Sequence, residues 1–199
     1  MSKIRLAILI SGRGSNMEAI LNACDTPDHP AEPVLVLSNR PQAGGLLTAK
    51  SRNIQATAVD HKPFGKDREA FEQVMHDHLT ATNVELIALA GFMRILTPWF
   101  VTRWAGRLIN IHPSLLPKYP GLKTHARALA AGDAEHGCSV HWVTEGVDEG
   151  DVIDQARISV RDGDTEETLR ARVLELEHTL YPNALKRACA QIQARTGRA

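Results

Sequence analysis

The chain has 199 residues, enough for one domain or for two closely packed lobes around a shared core. Hydrophobic residues make up 43% and charged ones 23%, with 23 basic against 23 acidic side chains. That balance argues against disorder and against a surface built for nucleic acid.

The first apolar run, "RLAILI", breaks at Ser11 and Gly12 and is too short for a secretory core or a membrane span. A cytoplasmic protein with no membrane partner is expected. "VLVLSN", "ATAVD" and "VELIALAG" read as further strands, with helices near 15–24, 42–52 and 66–81 between them. The alternation implies βαβ units and a parallel sheet, and the continuous apolar character of "VELIALAG" suits a central strand covered on both faces. "LTPWFVTRWAG" predicts a helix with Thr97 as N-cap, Pro98 in the first turn and Gly106 past the end.

"RLINIH" reads as a fifth strand, "HARALAAG" as a short helix stopped by Gly132, and "SVHWV" and "VIDQARISV" as two more strands. The segment from Asp164 closes the chain as one long helical stretch, with Asp164 and Glu167 at capping-box spacing and Pro182 expected to kink or divide it. Its basic end complements the helix dipole. Cys24, Cys138 and Cys189 are odd in number and widely spaced, so neither a disulfide framework nor a zinc site is indicated.

Chemistry concentrates in two places. In "ILISGRGSNMEAIL", Gly12 and Gly14 lie between a strand and a helix, where backbone N–H groups and the positive end of the helix dipole face an anion, and Ser15 and Asn16 add side-chain donors. Met17 replaces the third glycine of a dinucleotide fingerprint, and the second strand ends in "SNR" without the acidic residue that grips a ribose. A single phosphate on a small substrate fits better than NAD, while Arg40 keeps an NADP reading open.

In "RLINIHPSLLPKYPG", Asn110 and His112 share one face of a strand while Ile109 and Ile111 take the other. Both polar groups emerge at the carboxyl end of the strand, and prolines at 113, 117 and 120 stiffen the loop beyond it. An amide and a protonated imidazole together stabilise an oxyanion on a carbonyl under attack. They need a carboxylate to orient the ring and handle protons, for which "VTEGVDEGD" offers Glu145, Asp148, Glu149 and Asp151.

With these blocks in place the chain resembles the glycinamide ribonucleotide formyltransferases, folate-dependent enzymes of purine synthesis. The likeness runs through "ISGRGSN", "LAGFMRILTPWFV", "GRLINIHPSLLPKYPGLKTHARAL", "EHGCSVHWVTEGVDEGDVI" and "LEHTLYP", in that order. The resemblance implies an α/β, Rossmann-like fold with a mostly parallel central sheet flanked by helices. It implies one domain over 1–199, with a phosphate-binding lobe over about 1–100 and a catalytic, folate-binding lobe over about 101–199. It implies Asn110, His112 and Asp148 as catalytic residues, with Asp148 keeping His112 cationic. Gly14, Ser15 and Asn16 would hold the substrate phosphate. Arg68, Met93, Arg94, Ile95 and Leu96, with Asn110, would bind folate, and Glu177 would lie near the substrate amine. From the residues alone Glu177 reads as a polar flank beside the stripe Val173, Leu176, Leu180.

The co-substrate implied is 10-formyltetrahydrofolate, the acceptor glycinamide ribonucleotide, with no metal, in a monomer or homodimer. Arg13, where relatives commonly carry a small or polar residue such as Asn, and Asp151, where they usually carry Pro, depart from the pattern. Related formyltransferases acting on methionyl-tRNA, and formyltetrahydrofolate deformylases, carry additional domains for which this chain's length leaves no room.

Overall fold

In a computed structural model, which describes residues 2–197, the described residues form a seven-stranded sheet in the order β3-β2-β1-β4-β5-β6-β7. The first half alternates strand and helix: β1 (Ile4–Ile10), α1 (Ser15–Cys24), β2 (Ala31–Ser38), α2 (Gly45–Ser51), β3 (Gln55–Ala58), α3 (Arg68–Ala81), β4 (Leu86–Leu89) and α4 (Pro98–Arg103). These strands pair in parallel, as does β5 (Leu108–His112) against β4. α5 (Thr124–Ala130) then leads into β6 (Glu135–Trp142) and β7 (Val152–Ser159), which run antiparallel, and α6 (Glu166–Thr196) closes the described chain. The sheet is therefore mostly parallel, with an antiparallel edge.

Each face of the sheet buries its own core. Ile4, Leu6, Ile8 and Ile10 of β1 point to a cluster with α1, α2 and α6, while Ala7 and Leu9 point to one with α3 and α4. Strict alternation along one strand thus joins two layers of helices, as a doubly covered strand requires. Ile8 is fully buried, and truncating such a side chain to alanine costs about 2–5 kcal/mol.

Because strand order reverses between β1 and β4, the loops at their carboxyl ends diverge and leave a crevice. The glycine turn after β1 and the loop 90–97 after β4 border it directly, and β5 is the next strand over.

Several local readings shift. The capping box at α6 uses Thr165 and Thr168, one residue beyond the expected Asp164 and Glu167. Asp164 instead accepts from the Arg161 and Thr168 groups and pairs with Arg172 at 2.6 Å, bracing the turn before the helix. Pro182 does not divide α6, which runs unbroken past it. The one lost backbone bond is outweighed by flanking side chains, Leu180, Tyr181, Ala184 and Leu185, that are buried against the sheet. β6 begins four residues before "SVHWV", at Glu135. Thr97 caps α4 as expected, accepting from the Phe100 N–H at 3.4 Å.

Burial pushes the imidazoles of His29, His112, His125 and His136 below the ordinary value of 6.5, His125 down to about 4. At these four histidines the unfolded state binds more protons than the folded one below about pH 6.5, so their stability, complete above that pH, is lost as the pH falls, offset in part by the raised carboxyls of Glu72 and Glu177. The Tm should drop by roughly 5 °C or more between pH 7.5 and pH 5; an unchanged Tm across that range would contradict the assignment. Burial also lifts the Cys24, Cys138 and Cys189 thiols to about 12, which makes them small apolar residues rather than nucleophiles.

Candidate active site

The glycine turn is shaped by its backbone. Gly14 takes φ 82, a left-handed conformation that side chains rarely adopt, and caps α1. The amino end of α2 packs against it, with the Gly45 N–H donating to the Gly12 carbonyl at 3.1 Å. A Cβ on Gly45 would stand 3.0 Å from the Arg13 carbonyl oxygen and closer still to Ile10. The turn is thus fixed from behind while Gly12 and Arg13 stay exposed.

Asn16, 7% exposed, donates through Nδ2 to Glu177 Oε2 at 2.6 Å. Its Oδ1 is buried and has no hydrogen-bond partner among the described residues. Glu177 is not a polar flank. It sits inside the buried stripe of α6, between Val173 and Tyr181, whereas Leu176 is only partly buried. Burial pushes its carboxyl up, against the pull of the Asn16 amide. One turn further along α6, the Tyr181 hydroxyl lies 2.9 Å from the Leu89 carbonyl at the end of β4 and 3.3 Å from the Ile109 carbonyl of β5, so the helix is pinned beneath these two strands.

On β5, Ile109 and Ile111 lie in the core with α6, and Asn110 and His112 project from the opposite face. The antiparallel register sets His141 of β6 beside Asn110 and Ser139 beside His112. Asn110 Nδ2 lies 3.3 Å from His141 Nε2, and that same nitrogen lies 3.4 Å from Asp148 Oδ1. The other carboxylate oxygen, Oδ2, is 3.2 Å from His112 Nδ1 and accepts from the Gly121 N–H at 2.9 Å. Asn110, His141, Asp148 and His112 therefore form one connected polar cluster. Of the four carboxylates in the 145–151 loop, it is Asp148 that enters it.

Asp148 sits at φ 56, a conformation costing an L-residue about 1–2 kcal/mol, held where two histidines and a backbone amide converge on its side chain. Burial pushes its carboxyl up, but the contacts from His141 and Gly121 and the two imidazole charges bring it below the usual range. It is an anion at neutral pH.

The His112 imidazole is pulled both ways. Burial, the largest influence, pushes its imidazole down, and the Tyr119 carbonyl and Asp148 oppose this without reversing it. Both ring nitrogens face oxygens, since Nε2 lies 2.9 Å from the Tyr119 carbonyl. The downward push comes from depth, His112 being 5% exposed, while the two oxygens facing its nitrogens favour the doubly protonated ring.

The loop after His112 owes its shape to more than proline. Ser114 Oγ donates to the Lys118 carbonyl at 2.7 Å, the Leu116 N–H donates to Ser139 Oγ at 3.1 Å, and Gln155 Nε2 donates to the Leu116 carbonyl at 2.9 Å. Behind Asp148, the Trp142 N–H donates to the Asp151 carbonyl at 3.0 Å, so the loop is tied down with aspartate in place of proline.

Across the crevice, loop 90–97 places Met93 and Ile95 at 67% and 69% exposure, with Arg94 and Leu96 half-buried. Arg68, at the start of α3, donates to the Ile95 carbonyl at 3.4 Å. Among the described residues no group of three or more His, Cys, Asp or Glu is arranged to hold a metal ion, and no helix is long and apolar enough to cross a membrane.

His141 is the participant missed at the level of sequence, where it reads as one more structural histidine. The signal that finds it is strand pairing: only the β5–β6 register sets it opposite Asn110.

Comparison with known proteins bears on the family and the fold. The family model described as formyl transferase matches residues 4–185. The chain is 44% identical over 182 residues to phosphoribosylglycinamide formyltransferase of Haemophilus influenzae, covering 92% of this chain and 85% of that one. It is 49% identical to the trifunctional purine biosynthetic protein adenosine-3 of Drosophila pseudoobscura pseudoobscura, of whose length it spans 13%. The crystal structure of phosphoribosylglycinamide formyltransferase from Brucella melitensis superposes with a TM-score of 0.90 at 48% identity, over 95% of this chain and 97% of that one. The chain belongs to the formyl transferase family.

Proposed function

We propose that this protein transfers the formyl group of 10-formyltetrahydrofolate to the amine of glycinamide ribonucleotide, a step of purine biosynthesis. The observation that carries the reading is the Asn110, His141, Asp148 and His112 cluster at the carboxyl edge of the sheet, beside a glycine turn suited to a phosphate. The relatives named phosphoribosylglycinamide formyltransferase support the choice of substrate.

The substrate phosphate sits against the N–H groups of Gly14, Ser15 and Asn16, where the helix dipole favours an anion. Glu177, oriented by Asn16, receives the amine end. Burial raises its carboxyl, which accepts a hydrogen bond from the neutral amine that goes on to attack. Met93, Arg94, Ile95 and Leu96, with Arg68 at the loop's back and Asn110 at its far side, receive the folate. The donor loop belongs to the N-terminal half, so phosphate and folate recognition share that half while the catalytic groups come from the other.

The amine nitrogen attacks the formyl carbon, forming a C–N bond as the carbonyl becomes an oxyanion. Asn110 and His112 donate to that oxygen. To donate to the oxyanion through Nε2 while Nδ1 faces the Asp148 carboxylate, the ring carries a proton on each nitrogen, the form that Asp148 favours. To do so His112 exchanges its contact with the Tyr119 carbonyl for the oxyanion. Asp148 takes the proton released by the attacking nitrogen and returns it to folate N10 as the C–N10 bond breaks. The tetrahydrofolate leaves neutral, and no group on the protein is consumed.

The test is product identity. Purified protein with both substrates should yield ribonucleotide carrying a formyl group on its amine, detected by mass spectrometry; free formate in its place would contradict the assigned acceptor.

A further inference from the structure

Loop 91–97 presents two exposed apolar side chains, Met93 and Ile95, on a backbone that is nonetheless pinned. Exposed apolar groups on a fixed backbone mark a surface made to be covered by a ligand. Three contacts hold it. In front, the Met93 N–H donates to Ser11 Oγ at 2.7 Å, whose own hydrogen goes to Asn39 Oδ1 at 2.6 Å. Behind, Arg68 reaches the Ile95 carbonyl. At the end of the loop, Glu72 Oε1 accepts the Thr97 N–H at 2.8 Å and Oε2 accepts the Thr97 hydroxyl.

Glu72 is the unusual member. It is a carboxylate 1% exposed, in the middle of α3, with Thr97 itself 4% exposed. Acidic residues are almost never fully buried unless paired, and here the hydrogen-bond partners all belong to one residue, the one at which the exposed loop becomes α4. Arg68, one turn earlier on α3, lies close enough to influence its charge. One helix therefore grips the loop at both Ile95 and Thr97.

Resting on the donor site proposed above, we infer that Glu72 is a positioning residue for the formyl donor: through Thr97 it holds loop 91–97 in the conformation that receives the folate. It touches no substrate. Its removal frees the Thr97 N–H and hydroxyl and lets the loop sample other conformations, so donor binding carries an added ordering cost while the glycine turn is untouched.

Glu72→Ala should raise KM for 10-formyltetrahydrofolate about tenfold and leave KM for the ribonucleotide within about twofold. Glu72→Gln should recover most of the loss, since its amide oxygen still accepts the Thr97 N–H. A structural role alone would lower Tm without separating the two KM values. Should Glu72→Ala fail to fold, Thr97→Val, which removes the hydroxyl bond to Glu72 together with the Phe100 cap but keeps the Thr97 N–H bond, should show the same separation in weaker form.

Equal changes in both KM values, or a Glu72→Ala donor KM like that of the wild type, would overturn the inference. Equilibrium binding of 10-formyltetrahydrofolate to the wild-type protein separates this from the functional reading. Wild-type binding with no donor-specific loss in the variant sinks the clamp alone, and no folate binding by the wild type sinks the donor site and the clamp with it.

Discussion

Replacing His112 with alanine is expected to cut turnover at least ~100-fold while leaving the chain folded. The ring is the last residue of β5 and faces the crevice, not the core stripe of Ile109 and Ile111. Removing it takes one partner from the Tyr119 carbonyl, which keeps the Ser114 hydroxyl at 3.3 Å, and leaves Asp148 with its contacts to Gly121 and His141. Losing one such partner costs about 1–3 kcal/mol, which a domain with typical stability of about 5–15 kcal/mol survives. Turnover by the purified variant, with its melting curve alongside, checks both halves; near-normal turnover would remove His112 from the mechanism.

Asp148→Asn should have the larger effect, on the order of 100- to 10,000-fold in kcat, because it removes the proton-handling group. Asparagine keeps the shape and tolerates the left-handed backbone at φ 56, and its amide oxygen can still accept from Gly121. Charge is what changes. Without the carboxylate, one of the two influences raising the His112 imidazole disappears while the Tyr119 carbonyl remains, so the ring titrates at lower pH still. The pH profile of the residual activity should move its imidazole limb toward acid. A variant within tenfold of wild type with an unmoved profile would show that the carboxylate neither carries the proton nor tunes the ring.

What the sequence discloses and what it hides divide along a physical line. Features set by local chain geometry are legible: the alternating β and α segments, Thr97 as a cap, the shared face of Asn110 and His112, the glycine turn. Features set by pairing or depth are not. That Asp148 joins the cluster depends on where the loop after β6 returns, which spacing among four carboxylates does not decide; the family likeness pointed to it. His141 depends on a register between strands. Glu177 was within reach, since Leu169, Val173, Glu177 and Tyr181 recur every four residues along α6, but a carboxylate in such a series reads as an edge residue until Asn16 is seen against it. The downward push on the His112 imidazole follows from burial, and depth is invisible in a strand of five residues. Pro182 errs in the other direction, because a local rule for helix breaking yields to the packing of its neighbours.

The same line explains why Glu72 carries no signal in the sequence. It stands among Arg68, Glu69 and Asp77 on a helix of mixed charge, and only the fold shows that its carboxylate faces inward to Thr97.

The central claim is direct transfer between two bound substrates, and it is tested by following the release of deformylated folate from 10-formyltetrahydrofolate by absorbance, with and without glycinamide ribonucleotide. The account predicts release that depends strictly on the ribonucleotide. Equal release in its absence would mean that water, not the amine, attacks the formyl carbon, and the acceptor assigned to the glycine turn and Glu177 would be wrong.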